Sequence, residues 1–148
     1  MRVLFICTGN TCRSCMAETI ARQKAEKLNI PVEFHSAGIY AHKGDAASLN
    51  AVLAMKEMGL NLRNHVAVPV TAELIDNSDI ILTMTKGQKA ALVSLFPKNR
   101  EKVFMLLEYI GQNGDVMDPF GGDMNTYREC SLKIAAAIDK LMMKLGES

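Results

Sequence analysis

The stretch VLFICTGNTCRS, residues 3–14, joins a short apolar run to a polar loop and then to the start of a helix pattern. The apolar run holds valine, leucine, phenylalanine and isoleucine, which is typical of a buried parallel strand. It ends before Thr8 and Gly9, and from Ser14 onward small and apolar residues recur at the spacing of one helix face. We therefore expect a strand, a tight loop and a helix, in that order.

Three more apolar runs follow along the chain, and helix patterns lie between them. The runs are at residues 32–34, 80–82 and 103–106, and the helix patterns at residues 46–58, 71–74, 86–96 and 127–145. The last pattern predicts a long helix that begins near Asp123 and buries one face, made of Tyr127, Ser131, Ile134, Ile138, Leu141 and Leu145.

The alternation of strands and helices predicts a parallel sheet with helices on both faces and right-handed crossovers. We expect one α/β domain over residues 1–148, a three-layer sandwich with a four-stranded parallel sheet flanked by helices. In such sheets the ligand lies at the carboxyl ends of the strands.

The composition limits the function classes. Of the residues, 49% are hydrophobic and 22% charged, which is ordinary for a globular protein. Lys and Arg number 17 against 16 Asp and Glu, so the net charge of +1 argues against a strongly basic nucleic-acid binder. The first apolar run is too short for a signal peptide, and no stretch approaches the ~20 apolar residues of a membrane span. We expect a cytoplasmic monomer that binds neither nucleic acid nor membrane.

The loop between the first strand and the first helix is a candidate anion site. A loop in this position can direct several backbone N–H groups at one point, where the helix dipole adds positive potential. Gly9 would permit the tight backbone curvature that this requires. Phosphate, or another oxyanion, is the natural occupant. The residues that would bind it are Thr8, Gly9, Asn10, Thr11, Cys12, Arg13 and Ser14.

Cys7 stands at the edge of this loop as a candidate nucleophile. The same N–H groups would favour its thiolate, and the Ser14 hydroxyl can donate a hydrogen bond to it. The planar Arg13 guanidinium matches two phosphate oxygens. A nucleophile, an oxyanion cradle and a bidentate cation suit attack on phosphorus. The alternative is a buried strand cysteine followed by a polar turn.

With these residues the chain resembles the low-molecular-weight protein tyrosine phosphatase family. The stretch VLFICTGNTCRS is similar to that family's signature, and the likeness extends to residues 36–38 (SAG), 64–65 (NH) and 118–119 (DP) and to the order of strands and helices. The resemblance implies a flavodoxin-like fold and the hydrolysis of phosphorylated proteins through a phosphocysteine intermediate. It implies no metal and no other cofactor.

The resemblance also assigns roles outside the loop. Asp118 would be the general acid for the leaving group and the base for the water that hydrolyses phosphocysteine, although an Asp-Pro pair by itself indicates only a turn. The Asn10 side chain would brace the loop, and His65 would hydrogen-bond to Asn10. His35 and His42 have no comparable role.

Thr11 bears on the choice of substrate. Tyrosine-directed members of the family commonly carry an aliphatic residue there, whereas GNTCRS and DPFGG resemble the bacterial branch that acts on phosphoarginine in proteins. Asp118 can accept from the guanidinium N–H groups, and the Thr11 hydroxyl can orient one of them or the attacking water. Tyr40 and Phe120 are candidate pocket walls. We expect a phosphoarginine protein phosphatase, with two alternatives: a tyrosine phosphatase, and a Thr11 that only caps the helix.

The four cysteines are expected to divide by role. By the resemblance, Cys12 would form a reversible disulfide with Cys7 and guard it against over-oxidation. Cys15 stands where the family commonly has proline, and it would compete for the same partner. Cys130 is expected to be a small core residue.

Three rival functions share parts of this pattern. A thiol-dependent arsenate reductase needs further redox cysteines near the third strand, and residues 80–89 contain none. A phosphocysteine carrier domain has no use for Asp118 as a hydrolytic acid. A non-catalytic phosphate-binding module would need none of the catalytic groups that this chain has.

Overall fold

A four-stranded parallel sheet lies at the centre of the computed structural model, which describes residues 1–146. The strands are β1 (Arg2–Cys7), β2 (Glu33–Gly38), β3 (Ile80–Thr83) and β4 (Val103–Met105), in the spatial order β2-β1-β3-β4. The helices are α1 (Arg13–Leu28), α2 (Leu49–Glu57), α3 (Ala72–Asn77), α4 (Lys86–Leu95), α5 (Leu106–Tyr109) and α6 (Met124–Gly146), with a 3-10 helix at Pro97–Lys102. The predicted α/β class, with a four-stranded parallel sheet flanked by helices, is confirmed.

Strand β1 is buried on both faces, which explains its uninterrupted apolar run. Val3 and Phe5 pack in a cluster with residues of α1, α2 and α6. Leu4 and Ile6 pack on the other side with residues of α3 and α4. Since successive strand side chains point to opposite faces, this burial requires a helix layer on each side of the sheet. Cys7 follows directly at the carboxyl end of β1.

Helix α6 is the predicted long helix, and all six residues of its predicted inner face are buried. It begins at Met124 because the Asp123 side chain accepts a hydrogen bond from the Thr126 N–H at 2.9 Å. Cys130, on this helix, lies in the core as expected. Within the described residues, no helix has the length and apolarity needed to cross a membrane.

Three local predictions differ from the structure. The second strand, predicted at residues 32–34, is Glu33–Gly38, because pairing with β1 continues as far as Gly38. Helix α2 begins at Leu49 rather than near residue 46, because Ser48 caps it by accepting from the Ala51 N–H at 3.3 Å. The predicted strand at residues 103–106 has three residues, since Leu106 already begins the short helix α5. Neither α5 nor the 3-10 helix was predicted, because elements this short show no periodicity.

Candidate active site

The loop between β1 and α1 makes its turn at Asn10 rather than at Gly9. Asn10 has a φ of 56°, in the left-handed region, whereas Gly9 is not among the residues with positive φ. A Cβ on Gly9 would meet only the Thr11 Oγ1 at 3.7 Å, which is ordinary contact. The expectation that Gly9 supplies the curvature is therefore wrong. Asparagine tolerates this conformation because its short polar side chain forms local hydrogen bonds.

The Asn10 side chain joins the loop to its surroundings. Its Nδ2 donates to Ser14 Oγ at 2.8 Å and to Ser36 Oγ at 2.9 Å, and its Oδ1 accepts from the Val68 N–H at 2.9 Å. His65 Nε2 lies 2.7 Å from the Asn10 backbone oxygen. The side chain and the carbonyl of this fully buried residue are thus both held.

The hydrogen bond from Asn10 to Ser14 decides which atom donates in the hydrogen bond between Ser14 and Cys7. The Cys7 sulfur is buried, lies 2.8 Å from Ser14 Oγ and accepts from the Asn10 N–H at 3.3 Å. An amide nitrogen only donates, so Ser14 Oγ accepts from Asn10 and keeps its own hydrogen for the sulfur. The arrangement presents two donors to Cys7, which is what a thiolate requires.

The backbone of the loop offers donors to an anion. The Asn10 N–H donates to Cys7, but the N–H groups of residues 8, 9 and 11–14 donate to no acceptor in the described part of the chain. Those of residues 13 and 14 belong to the first turn of α1, where such donors have no partner within the helix. The loop therefore has the free N–H groups expected of a phosphate cradle.

Arg13 is the buried cation of the site. Its Nη1 donates to the Val116 carbonyl at 2.9 Å, and its Nη2 lies 3.6 Å from Asp118 Oδ2. Its Nε is buried and has no partner among residues 1–146. A buried donor without an acceptor is unfavourable, so an oxyanion in the loop would satisfy it.

Asp118 lies across from Arg13 in the turn before α6. Its side chain is 54% exposed, and its Oδ1 accepts from the Phe120 N–H at 3.0 Å. The turn is tight: Gly121 has a φ of 80°, and a Cβ on Gly122 would lie 2.7 Å from a Thr126 methyl carbon. Asp118 thus faces solvent beside the Arg13 guanidinium that would bind the phosphoryl group, and this places its carboxyl group within reach of a leaving group.

Of the three predicted specificity residues, Thr11 lies in the loop, Tyr40 contacts it through its backbone, and Phe120 follows Asp118 in the turn before α6. Thr11 is half-buried and does not cap α1: the cap position is Cys12, which has no side-chain capping bond. The alternative that Thr11 only caps the helix is therefore wrong, because the helix begins one residue further along. Tyr40 is 71% exposed and Phe120 is 79% exposed, and the Tyr40 N–H donates to the Thr8 carbonyl at 2.9 Å.

None of the four cysteines is in a disulfide, and their surroundings differ. The Cys12 sulfur lies 3.4 Å from Ser48 Oγ and 3.5 Å from the Tyr127 hydroxyl. Cys15 donates to the Cys12 carbonyl at 3.2 Å, and burial, followed by the nearby Cys7 and Cys12, raises its pKa. Cys15 is thus held as a thiol, which makes it a poor competitor of Cys12 for a disulfide with Cys7. Burial also raises the pKa of Cys130 to about 11.

The two other histidines lie apart from these contacts. His35 Nε2 is 3.6 Å from a Glu33 carboxylate oxygen on β2. His42 is exposed in the segment after β2. Within residues 1–146, no group of three His, Cys, Asp or Glu side chains is arranged to hold a metal ion.

Several residues that shape the site were not predicted. They are Ser48, Tyr127, Gln88, Met84 and Val116. Only Gln88 has a signal in the sequence: Thr85 and Gln88 have the spacing of a helix capping box. The others contact the site through distant parts of the chain, which leaves no local pattern.

The chain was compared with known proteins. The family model for low molecular weight phosphotyrosine protein phosphatase matches residues 2–148. A protein-arginine-phosphatase of Bacillus subtilis is 40% identical over 146 residues, covering 98% of this chain and 97% of that protein. The low molecular weight protein-tyrosine-phosphatase PtpB of Staphylococcus haemolyticus is 39% identical, covering 95% and 97%.

Solved structures agree with the fold. The YwlE arginine phosphatase, solved as a cysteine-to-serine mutant with a phosphorylated active site serine, superposes with a TM-score of 0.98 at 38% identity, covering 100% of this chain and 97% of that one. A low molecular weight protein tyrosine phosphatase from T. tengcongensis gives a TM-score of 0.95 at 41% identity, covering 97% and 99%.

Proposed function

This chain belongs to the low molecular weight phosphotyrosine protein phosphatase family and is a cysteine-dependent protein phosphatase, and we propose that it hydrolyses phosphoarginine in proteins. The observation that carries the choice of substrate is Thr11, whose hydroxyl lies in the loop and is not used to cap α1. The identity of 40% to a protein named as an arginine phosphatase supports the same choice.

In the first step the Cys7 thiolate attacks phosphorus, so that an S–P bond forms and the P–N bond to the guanidinium breaks. Asp118 gives its proton to the leaving nitrogen and becomes a carboxylate. The buried Arg13 Nε and the free N–H groups of the loop bind the phosphoryl oxygens, where negative charge develops. In a related arginine phosphatase whose active-site cysteine is replaced, the serine at that position carries phosphate, which supports phosphoryl transfer to Cys7.

In the second step water attacks the phosphocysteine. Asp118 takes a proton from this water, the S–P bond breaks, and the Cys7 thiolate returns as phosphate leaves. Ser14 and the Asn10 N–H donate to the sulfur and stabilise it as a leaving group. Protons and electrons balance over the two steps with Asp118 as the only acid and base.

The same catalytic groups would serve a phosphotyrosine substrate, which is the second candidate. It is favoured by the identity of 39% to a protein named as a tyrosine phosphatase and by two exposed aromatic residues, Tyr40, whose N–H donates to the Thr8 carbonyl, and Phe120, whose N–H donates to Asp118. The leaving atom distinguishes the two. A guanidinium brings several N–H donors toward the carbonyl oxygen of the Asp118 carboxyl group, whereas a phenol oxygen brings none.

The test is a side-by-side assay of matched peptides that carry phosphoarginine, phosphotyrosine or phosphoserine. We expect kcat/KM to be highest for phosphoarginine. A Cys7→Ala variant is the control for contaminating phosphatases. A higher kcat/KM for phosphotyrosine would replace the proposed substrate with the second candidate, and turnover by Cys7→Ala would contradict the mechanism.

A further inference from the structure

Gln88, in the first turn of α4, caps its own helix and also makes one hydrogen bond to the phosphate loop. Its side chain is 6% exposed, and its Oε1 accepts from the N–H groups of Met84 and Thr85 at 3.0 and 3.1 Å. The Gln88 N–H donates back to Thr85 Oγ1 at 3.1 Å, which completes a capping box. In addition, Gln88 Nε2 donates to Thr8 Oγ1 at 3.1 Å.

Thr8, the first residue of the phosphate loop, is therefore held from two sides. Its carbonyl accepts from the Tyr40 N–H at 2.9 Å, and its hydroxyl accepts from Gln88. The chain after β2 comes so close that a Cβ on Gly38 would lie 2.6 Å from the Thr8 carbonyl oxygen. The Thr8 N–H, by contrast, donates to no acceptor in the described part of the chain and remains available to phosphate.

The same junction between β3 and α4 also reaches Arg13. The Met84 carbonyl accepts from the Val116 N–H at 2.8 Å, and the Val116 carbonyl accepts from Arg13 Nη1 at 2.9 Å. Gln88 thus fixes a peptide unit that connects to the loop at its start, through Thr8, and near its end, through Arg13.

We propose that Gln88 is a positioning residue for the phosphate loop, which it holds through Thr8 and, by way of Met84 and Val116, through Arg13. The proposal rests on the proposed function only in taking residues 8–14 as the phosphate site. A loop outside helix and sheet has few hydrogen bonds to order it. N–H donors that are already oriented bind a phosphoryl group better than donors that must first reorganise. Because the hydrogen bonds of Gln88 hold the loop in place, they increase its affinity for phosphate.

The experiment compares Thr8→Val, Gln88→Met and the double variant. Inhibition by inorganic phosphate gives its affinity, and turnover of para-nitrophenyl phosphate gives kcat and KM. We expect Thr8→Val to weaken phosphate binding by about fivefold, the value of one hydrogen bond, and Gln88→Met to weaken it at least as much, since it also removes the bonds to the peptide unit that connects to Arg13. We expect the double variant to be no worse than Gln88→Met alone, because Gln88→Met already removes the contact that Thr8→Val removes. Thr8→Ser, which restores the hydroxyl, should recover the affinity of the wild type.

The matched control is Thr85→Ala. It removes the capping hydroxyl of α4 but leaves the bond between Gln88 and Thr8, so it should lower the melting temperature without weakening phosphate binding. Three results would each overturn the proposal: unchanged phosphate affinity in Thr8→Val, additive losses in the double variant, or an equal loss in Thr85→Ala. Thr8→Val keeps the test decisive if Gln88→Met does not fold. The substrate assay with phosphorylated peptides fails or succeeds independently, since this experiment uses inorganic phosphate.

Discussion

At the scale of single residues, the site depends on the direction of its hydrogen bonds. Asn10 donates to Ser14, and Ser14 is thereby left to donate to Cys7. Arg13 brings a buried Nε without a protein partner to the same loop. Three predictions test the roles of individual side chains in this arrangement.

Replacing the nucleophile should separate binding from chemistry. Cys7→Ser should abolish turnover, because a hydroxyl is a weaker nucleophile than a thiolate and a serine oxygen is a much poorer leaving group, so that a phosphoserine formed here would not be hydrolysed. The loop N–H groups and Arg13 remain, so the affinity for inorganic phosphate should stay close to that of the wild type. Steady-state kinetics with isothermal titration of phosphate checks both. Normal hydrolysis by the variant would exclude Cys7 as the nucleophile.

Removing the general acid should lower kcat/KM by a factor that depends on the leaving group. Asp118→Ala should slow cleavage by ~10²–10⁴-fold for substrates with poor leaving groups and much less for those with good ones, because only poor leaving groups need a proton. The measurement is kcat/KM for a series of aryl phosphates with different leaving-group pKa values. An equal loss across the series would contradict the acid role, and Asp118→Asn serves as an isosteric control.

Replacing Thr11 with isoleucine should change substrate preference. The larger apolar side chain fills space and removes the hydroxyl, so Thr11→Ile should shift the ratio of kcat/KM from phosphoarginine toward phosphotyrosine by about tenfold. Thr11→Ser, which keeps the hydroxyl, is the control and should retain the preference for phosphoarginine. Unchanged ratios in Thr11→Ile would remove this residue from the specificity argument.

At the scale of elements, strand β1 and helices α1 and α6 carry most of the organisation. β1 ends at the nucleophile, α1 begins in the phosphate loop, and α6 packs its apolar face on the core behind them. The periodicity of α6 was readable in the sequence because the helix is long. The short helix α5 was not, since four residues show no period.

One element-scale prediction concerns the inner face of α6. Ile138 is fully buried, so Ile138→Ala should lower the free energy of unfolding by about 2–5 kcal/mol through lost burial and a cavity. Leu132 lies on the same helix but is 63% exposed, and Leu132→Ala should change stability by less than ~0.5 kcal/mol. Denaturant titration measures both. Equal losses in the two variants would contradict the packing described.

At the scale of the whole molecule, charge pairs connect elements that are distant in the chain. Arg128 on α6 donates from Nε and Nη2 to Glu57 on α2 at 2.8 and 3.0 Å, and these hydrogen bonds lower the pKa of Glu57. Hydrogen bonds from Arg2 lower the pKa of Glu33 in the same way, and one from Lys89 lowers that of Glu108. We propose that residues 1–148 act as one phosphatase domain, which the core on the two faces of the sheet holds together and to which these exposed pairs add little.

The lowered carboxyl pKa values predict how stability depends on pH. Each carboxylate is more acidic folded than unfolded, so its contribution is complete above the ordinary value of 4.5 and is lost as the pH falls through the folded value. The free energy of unfolding should therefore decrease below about pH 4.5. Chemical denaturation from pH 7 to pH 3 measures it. Glu57→Gln should flatten the decrease, and an unchanged slope would show that this pair does not contribute.

The sequence by itself determined the order of strands and helices, the sheet class, the loop between β1 and α1, and the residues Cys7 and Arg13 as candidates for the chemistry. Asp118 was a candidate only through the family resemblance, since an Asp-Pro pair by itself indicates a turn. Apolar periodicity and a compact motif are local, so a single stretch of chain carries them. Only the tertiary structure decided that Asn10 rather than Gly9 makes the turn, that Cys15 is held as a thiol, and that Gln88 reaches Thr8 from 80 residues away. A hydrogen bond between residues far apart in the chain leaves no pattern in either segment, because it exists only once folding has brought them together.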